Sequence, residues 1–246
     1  MKPLYRLLTL AAAGFLALGA QAQTPNPEAQ IRRALAERIP SLPKIDEVRP
    51  TAIPGLYEVR LDGTEIVYSD AKGEFLIQGA LIDTRTMTNL TQARIDKLTA
   101  IDFSSLPFKD AMVFKQGNGA RKMAVFVDPN CTYCKRFEGD LVKVKDVTIY
   151  TFIMPILGPD SRVKARDIWC SKEASATWRA WMLDGVPPPR AMGPCDAGAL
   201  ERNVAFGHKF KIDGTPGLVF EDGTRKPGAL PASEVERLLA AASKKG

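Results

Sequence analysis

"FVDPNCTYCKRFEGDL", residues 126–141, places Cys131 and Cys134 with two residues between them where an apolar run ends. Three chemistries use such a pair: half of a zinc site, a structural crosslink, or a dithiol that exchanges disulfides with other proteins. Zinc takes four ligands, commonly from two such knuckles or with histidines. The chain has four cysteines and one histidine. Cys170 and Cys195 are not spaced as a second knuckle, and His208 lies in a polar helical stretch that reads as surface. No metal site is expected. A disulfide closing so short a loop removes little unfolded-state entropy, which weighs against a purely structural crosslink. Four cysteines allow three pairings. The two-residue spacing favours Cys131–Cys134 and leaves Cys170 with Cys195, whose roughly 25-residue loop is worth about 3–3.5 kcal/mol. The short pair reads as chemical and the long pair as structural.

The flanking pattern supplies a mechanism. "MAVFVD" (123–128) is a continuous apolar strand, and residues from 131 to about 145 suit a helix with Phe137, Leu141 and Val144 on one face. Cys131 then falls at a helix start, where unpaired N–H groups and the helix dipole favour negative charge and keep a thiolate available. Cys134, one turn further in, is expected to be more buried and less reactive. Cys131 attacks a substrate disulfide, and Cys134 releases the enzyme when the substrate does not rearrange first. Lys135 and Arg136 either add favourable potential or form a solvated helix face. "DGTPGLVF" (213–220) sets Thr215-Pro216 just before a buried strand. A proline there can be cis, and its missing N–H leaves a neighbouring backbone edge free.

The rest of the chain fits around these two segments. "VTIYTFIM" (147–154) is a second buried strand, and 160–183 reads as helical with Ile168, Trp169, Trp178 and Trp181. A proline-rich loop, a helix near 197–210, a hairpin turning at Asp222-Gly223 and a last helix follow. Ser233 and Glu236 are expected to form that helix's capping box. Strand, helix, strand, helices, hairpin, helix is the thioredoxin order, with a helical insertion after the second strand.

Upstream, "NPEAQIRRALAERI" (26–39) predicts a helix capped by Asn26, with Ile31, Leu35 and Ile39 recurring every four residues. Residues 55–84 alternate apolar and polar and break at Asp62-Gly63 and 70–73, as a strand meander does. This block is small, holds few large apolar residues, and has last strands suited to pairing with another copy. Residues 91–101 predict a short helix with Thr91 as cap. The expected organisation is an α+β N-terminal dimerisation domain (23–85), a linker helix (86–106) and an α/β thioredoxin-fold domain with a helical insertion (107–246).

The first 22 residues read as a signal peptide: charge at Lys2 and Arg6, an apolar run from Leu7 to Leu18, and Ala20-Gln21-Ala22 before the cut. That run is shorter than the roughly 20 apolar residues a bilayer needs. Export with cleavage after Ala22 is expected, and an oxidising compartment suits two disulfides. The formal charge of +6, less the two charges of Lys2 and Arg6, leaves +4. Without an arginine-rich run, that mild excess excludes a nucleic-acid partner.

Taken together, "FVDPNCTYCKRF", "IWCSKEA" with Cys195 downstream, "GTPGLVFEDG" and "GEFLIQGALID" make the chain resemble bacterial periplasmic disulfide isomerases of the DsbC type, related to DsbG. The resemblance implies a V-shaped homodimer whose thioredoxin-like domains face an uncharged cleft. It implies that Cys131 attacks, Cys134 resolves, and Tyr133, Thr215 and cis-Pro216 meet the substrate, with Cys170–Cys195 structural. It also implies misfolded exported proteins as clients, a membrane thiol reductase of the DsbD type as electron source, and no cofactor. Thr132-Tyr133 stand where DsbC-type enzymes often carry Gly-Tyr. Rival readings are a DsbG-like reductase protecting single oxidised cysteines, or a dimeric chaperone with secondary thiol chemistry.

Overall fold

The computed structural model describes residues 26–243, so the expected signal peptide lies outside the described residues. They divide into two compact units, one holding 26–62 with 67–78 and the other 63–66 with 79–243.

The first unit opens with α1 (Pro27–Arg38), whose first turn is closed by the Asn26 side chain accepting from the Glu28 N–H at 3.0 Å. Its apolar face, Ile31 and Leu35, packs with Val48, Val59, Leu61 and Val67 into a small core. The sheet beneath it runs in the order β1 (Ile45–Pro50), β2 (Leu56–Leu61), β3 (Glu65–Asp70) and β4 (Leu76–Ile77). The meander expected from residue 55 is present, and β1 is an addition. Its pattern is largely charged, which hides it, but the charges answer those of β2 across the ladder. Glu47 lies opposite Arg60 and Arg49 opposite Glu58, with ion pairs at 3.0 and 2.9 Å. Cross-strand pairs of this kind support a strand that hydrophobic alternation does not announce. The β3–β4 turn closes on α1: Gly73 has φ +66°, and a Cβ there would meet Ala34 Cβ at 2.8 Å.

Next come the two-residue strands β5 (Ile82–Asp83) and β6 (Thr88–Asn89), and then α2 (Leu90–Leu98). Asn89, not Thr91, caps α2, accepting from the Gln92 N–H at 2.9 Å. Thr91 is buried inside the helix, and its hydroxyl accepts from the Leu81 N–H at 2.8 Å. The cap moves two residues because Thr91 is engaged in that tertiary bond.

The second unit contains β7 (Met112–Gln116), β8 (Arg121–Val127), α3 (Thr132–Leu141), β9 (Val147–Ile153), α4 (Pro159–Trp169), α5 (Ala174–Asp184), α6 (Gly198–Lys209), β10 (Gly217–Phe220), β11 (Arg225–Pro227) and α7 (Ala232–Ala242). The sheet order is β11-β10-β8-β9-β7, with β8 and β9 parallel and every other neighbour antiparallel. Central β8 is apolar and buried from Met123 to Val127, where both its faces are covered. Met123, Val125 and Val127 belong to the core that includes Phe137, Trp178 and Val235, whereas Ala124 and Phe126 belong to the opposite one. There Phe126 stacks on Phe152 with ring centroids 4.8 Å apart.

Four expectations need correction here. The strand expected to open this domain, 123–128, is preceded by β7, in which Met112 and Phe114 are buried and Val113 is exposed, as an edge strand requires. The helix expected over 160–183 is two helices, parted at 170–173. Ser171 turns its hydroxyl onto the Ile168 carbonyl and Thr177, bonds that compete with a continuing helix. The helix expected from 131 to about 145 ends at Leu141, although Val144 remains buried. Finally, Ser233 and Glu236 form no capping box. Extended Pro231 precedes α7, and Glu236 is drawn to Arg121 and to the Lys145 N–H.

Candidate active site

Cys131 is the N-cap of α3, with φ −75° and ψ 112°. This backbone turns its Sγ back over the first turn, where it accepts from the Cys134 N–H at 3.2 Å. An orphan donor of the helix is thereby spent on sulfur, which suits a thiolate. From the other side, the Cys131 thiol donates to the Thr215 carbonyl at 3.2 Å, and the Thr215–Pro216 peptide is cis. Residues 84 apart in sequence are thus joined at one sulfur. Both thiols are free and buried, with 5% of Cys131 and 2% of Cys134 exposed. Burial pushes the Cys134 thiol far above its ordinary range, and its hydrogen bond with Cys131 pushes it further.

Three side chains that the sequence did not single out hold this arrangement. Asp128, fully buried at the end of β8, accepts from the Asn130 N–H at 2.8 Å with one oxygen. Its other oxygen accepts from the N–H groups of Ile156 and Leu157 at 2.8 and 3.0 Å. Its carbonyl receives the Cys131 N–H at 3.1 Å. One residue therefore sets the turn into the cysteine and pins the loop after β9. Trp181 on α5 donates its indole N–H to the Pro129 carbonyl at 2.6 Å. Glu138, one turn beyond Cys134, is buried and accepts from the Trp178 indole at 3.1 Å, with Arg179 Nε 3.5 Å away. Burial raises its carboxyl pKa, and Trp178 and Arg179 only partly offset this. The available signal was a carboxylate ending an apolar strand three residues before a cysteine. The tryptophans gave none, since any buried indole packs in the same pattern.

The remaining candidates are placed as follows. Tyr133 is 66% exposed on the first turn of α3, and Thr215 is half-buried beside buried Pro216. Cys170 and Cys195 are joined in a disulfide that ties the end of α4 to the loop before α6. His208 is exposed on α6.

A Cys-x-x-Cys helix start facing a cis-proline loop on this sheet defines the thioredoxin-fold class of thiol–disulfide oxidoreductases. Residues 108–243 match the thioredoxin-like domain family, and residues 21–92 match the disulfide bond isomerase protein N-terminal domain. A probable thiol:disulfide interchange protein DsbC of Bordetella parapertussis is 41% identical over 89% of this chain and 76% of its own. The thiol:disulfide interchange protein DsbC of Escherichia coli is 26% identical over 80% of this chain and 81% of its own. Among solved structures, a disulfide interchange protein from Neisseria gonorrhoeae superposes with a TM-score of 0.52 at 36% identity, covering 56% of this chain and 98% of that one. The chain belongs to the DsbC family of thiol:disulfide interchange proteins. No helix among the described residues is long and apolar enough to cross a membrane.

Proposed function

We propose that the protein is a periplasmic, homodimeric isomerase that reshuffles incorrect disulfides in exported proteins. The observation that carries the reading is the shared sulfur geometry: Cys131 Sγ lies between the Cys134 N–H and the Thr215 carbonyl, both at 3.2 Å. The Cys131 thiolate attacks one sulfur of a client disulfide. A Cys131–client bond forms, and the other client sulfur leaves as a thiolate that takes a proton from water. A second client thiolate can then attack the mixed disulfide, which returns Cys131 and changes the client's pairing with no net electron transfer. Alternatively, Cys134 loses its proton and attacks Cys131. The Cys131–Cys134 disulfide forms, the client leaves reduced, and an external dithiol of the DsbD type must restore the enzyme. Thr215 and Pro216 offer backbone to the client, with Tyr133 at the solvent side. No cofactor is required, since sulfur carries the electrons.

The N-terminal unit supports pairing of two copies. β4 lies at the open edge of its sheet, and Phe75 and Ile77 stand exposed there. Domain extents of 23–85, 86–106 and 107–246, with a signal peptide over 1–22, belong to this proposal. Trapping tests the chemistry: Cys134→Ser accumulates mixed disulfides with oxidised clients, and Cys131→Ser forms none. A Cys131→Ser variant that still forms them would reverse the roles.

A further inference from the structure

The first turn of α3 carries a charge that its helix does not want. Cations at a helix N-terminus oppose the dipole, and acidic residues are the stabilising choice there. Yet that turn contains no acidic residue, and Lys135 and Arg136 follow Cys134 directly. Lys135 is half-buried, its ammonium is 3.8 Å from the centroid of the Trp181 ring, and among the described residues it forms no ion pair. The same indole donates to the Pro129 carbonyl, two residues before Cys131, at 2.6 Å. A second ammonium, Lys164, is 5.0 Å from the ring and bonds Asn130 Oδ1 at 3.1 Å, immediately before the cysteine. Lys164 is balanced by Asp160, which also accepts from the Asn130 amide. Lys135 has no such balance among the described residues, and its backbone N–H bonds the Cys131 carbonyl at 3.1 Å, which sets it one helical turn from the attacking cysteine.

We propose that Lys135, held on the Trp181 indole beside Cys131, is a specificity residue that favours client segments carrying carboxylates next to the disulfide under attack. The inference rests on the isomerase reading and names a class of substrate for the same site. An indole face desolvates an ammonium without neutralising it, which strengthens its interaction with an approaching anion. The effect is exerted on encounter: an uncompensated charge at a small site raises the association rate of oppositely charged partners and is lost in salt. A lysine serving only to stabilise the Cys131 thiolate would speed attack on every disulfide equally. The two roles therefore separate in a ratio of rates.

The test uses the reduced full-length protein and three peptide disulfides of equal length, flanked by aspartate, serine or lysine. At low ionic strength the aspartate peptide should react about three- to tenfold faster than the serine peptide, and the lysine peptide more slowly than either. Near 1 M salt, where screening acts within about 3 Å, the three rates should converge. Lys135→Gln should bring the aspartate-to-serine ratio below about two, and Lys135→Glu should invert it. Equal rates for all three peptides with the natural protein, or a ratio unchanged in Lys135→Gln, would overturn the proposal while leaving the exchange chemistry intact. Failure to reduce even the serine peptide would instead remove the isomerase reading on which it rests.

Discussion

Cys131 and Cys134 stand one helical turn apart and meet different surroundings. Cys131 has a helix N–H at its sulfur, whereas the Cys134 thiol is held protonated chiefly by burial. Alkylation of the reduced protein near pH 6 should therefore modify Cys131 much faster, with Cys134 gaining reactivity only as the solution becomes alkaline. Comparable rates at pH 6 would contradict this difference. Glu138 gives a second residue-level expectation. Its folded pKa lies above the unfolded value, so the folded state binds more protons between the two and stability falls as pH rises through that window. Below the unfolded value, near 4.5, the penalty is absent. Glu138→Gln keeps an acceptor for the Trp178 indole and removes the titration. Relative to the natural protein it should gain stability on going from pH 4 to pH 7, as read by denaturant midpoints. A constant difference across that range would show that Glu138 is not a destabilising buried charge. Asp128 gave only its place at the end of an apolar strand three residues before Cys131, and Glu138, in a polar stretch of helix, carries no pattern until its partners are assembled. Cys131 and Thr215-Pro216 were legible because each departs from what strand or helix alone would select.

At the level of elements, the second unit could be read because its central strands are buried on both faces and its helices carry one apolar face each. What escaped was decided by partners distant in sequence. β1 depends on ion pairs with β2, β7 on a place at the sheet edge, and the α4–α5 break on Ser171 and its hydroxyl bonds. The α7 start failed for the same reason, since Glu236 meets Arg121 from far upstream. The Cys170–Cys195 disulfide, closing a separation of 25 residues, begins at the first residue of that break. Alanine at both positions should cost about 3 kcal/mol and lower the melting temperature by roughly 6–12 °C. Activity per folded molecule should change far less. Under mild reductant the disulfide of the Cys131–Cys134 pair should open first, since structural disulfides have low reduction potentials. Mass mapping after partial reduction checks this order, and simultaneous opening would contradict it.

The whole molecule joins a unit that bears all four cysteines to a smaller one that bears none. The first unit's core cluster holds six buried side chains, all aliphatic, with buried Tyr68 outside it, little for independent stability. Its edge strand β4 ends in exposed apolar residues, which a second copy would cover. Removing residues 23–85 should give a monomer that still reduces small disulfides but loses most isomerase activity, because a client must be held while successive pairings are tried. Sedimentation beside a client assay checks both parts, and a full-length monomer would show that the unit serves another purpose. Isomerisation itself is tested most directly by recovery of ribonuclease activity from scrambled, fully oxidised ribonuclease, with catalytic amounts of the reduced protein and of its Cys131→Ser variant. The natural protein should restore native pairing and activity, and the variant should leave the substrate scrambled. Equal recovery with both proteins, or reduction of the substrate without recovery, would contradict the account.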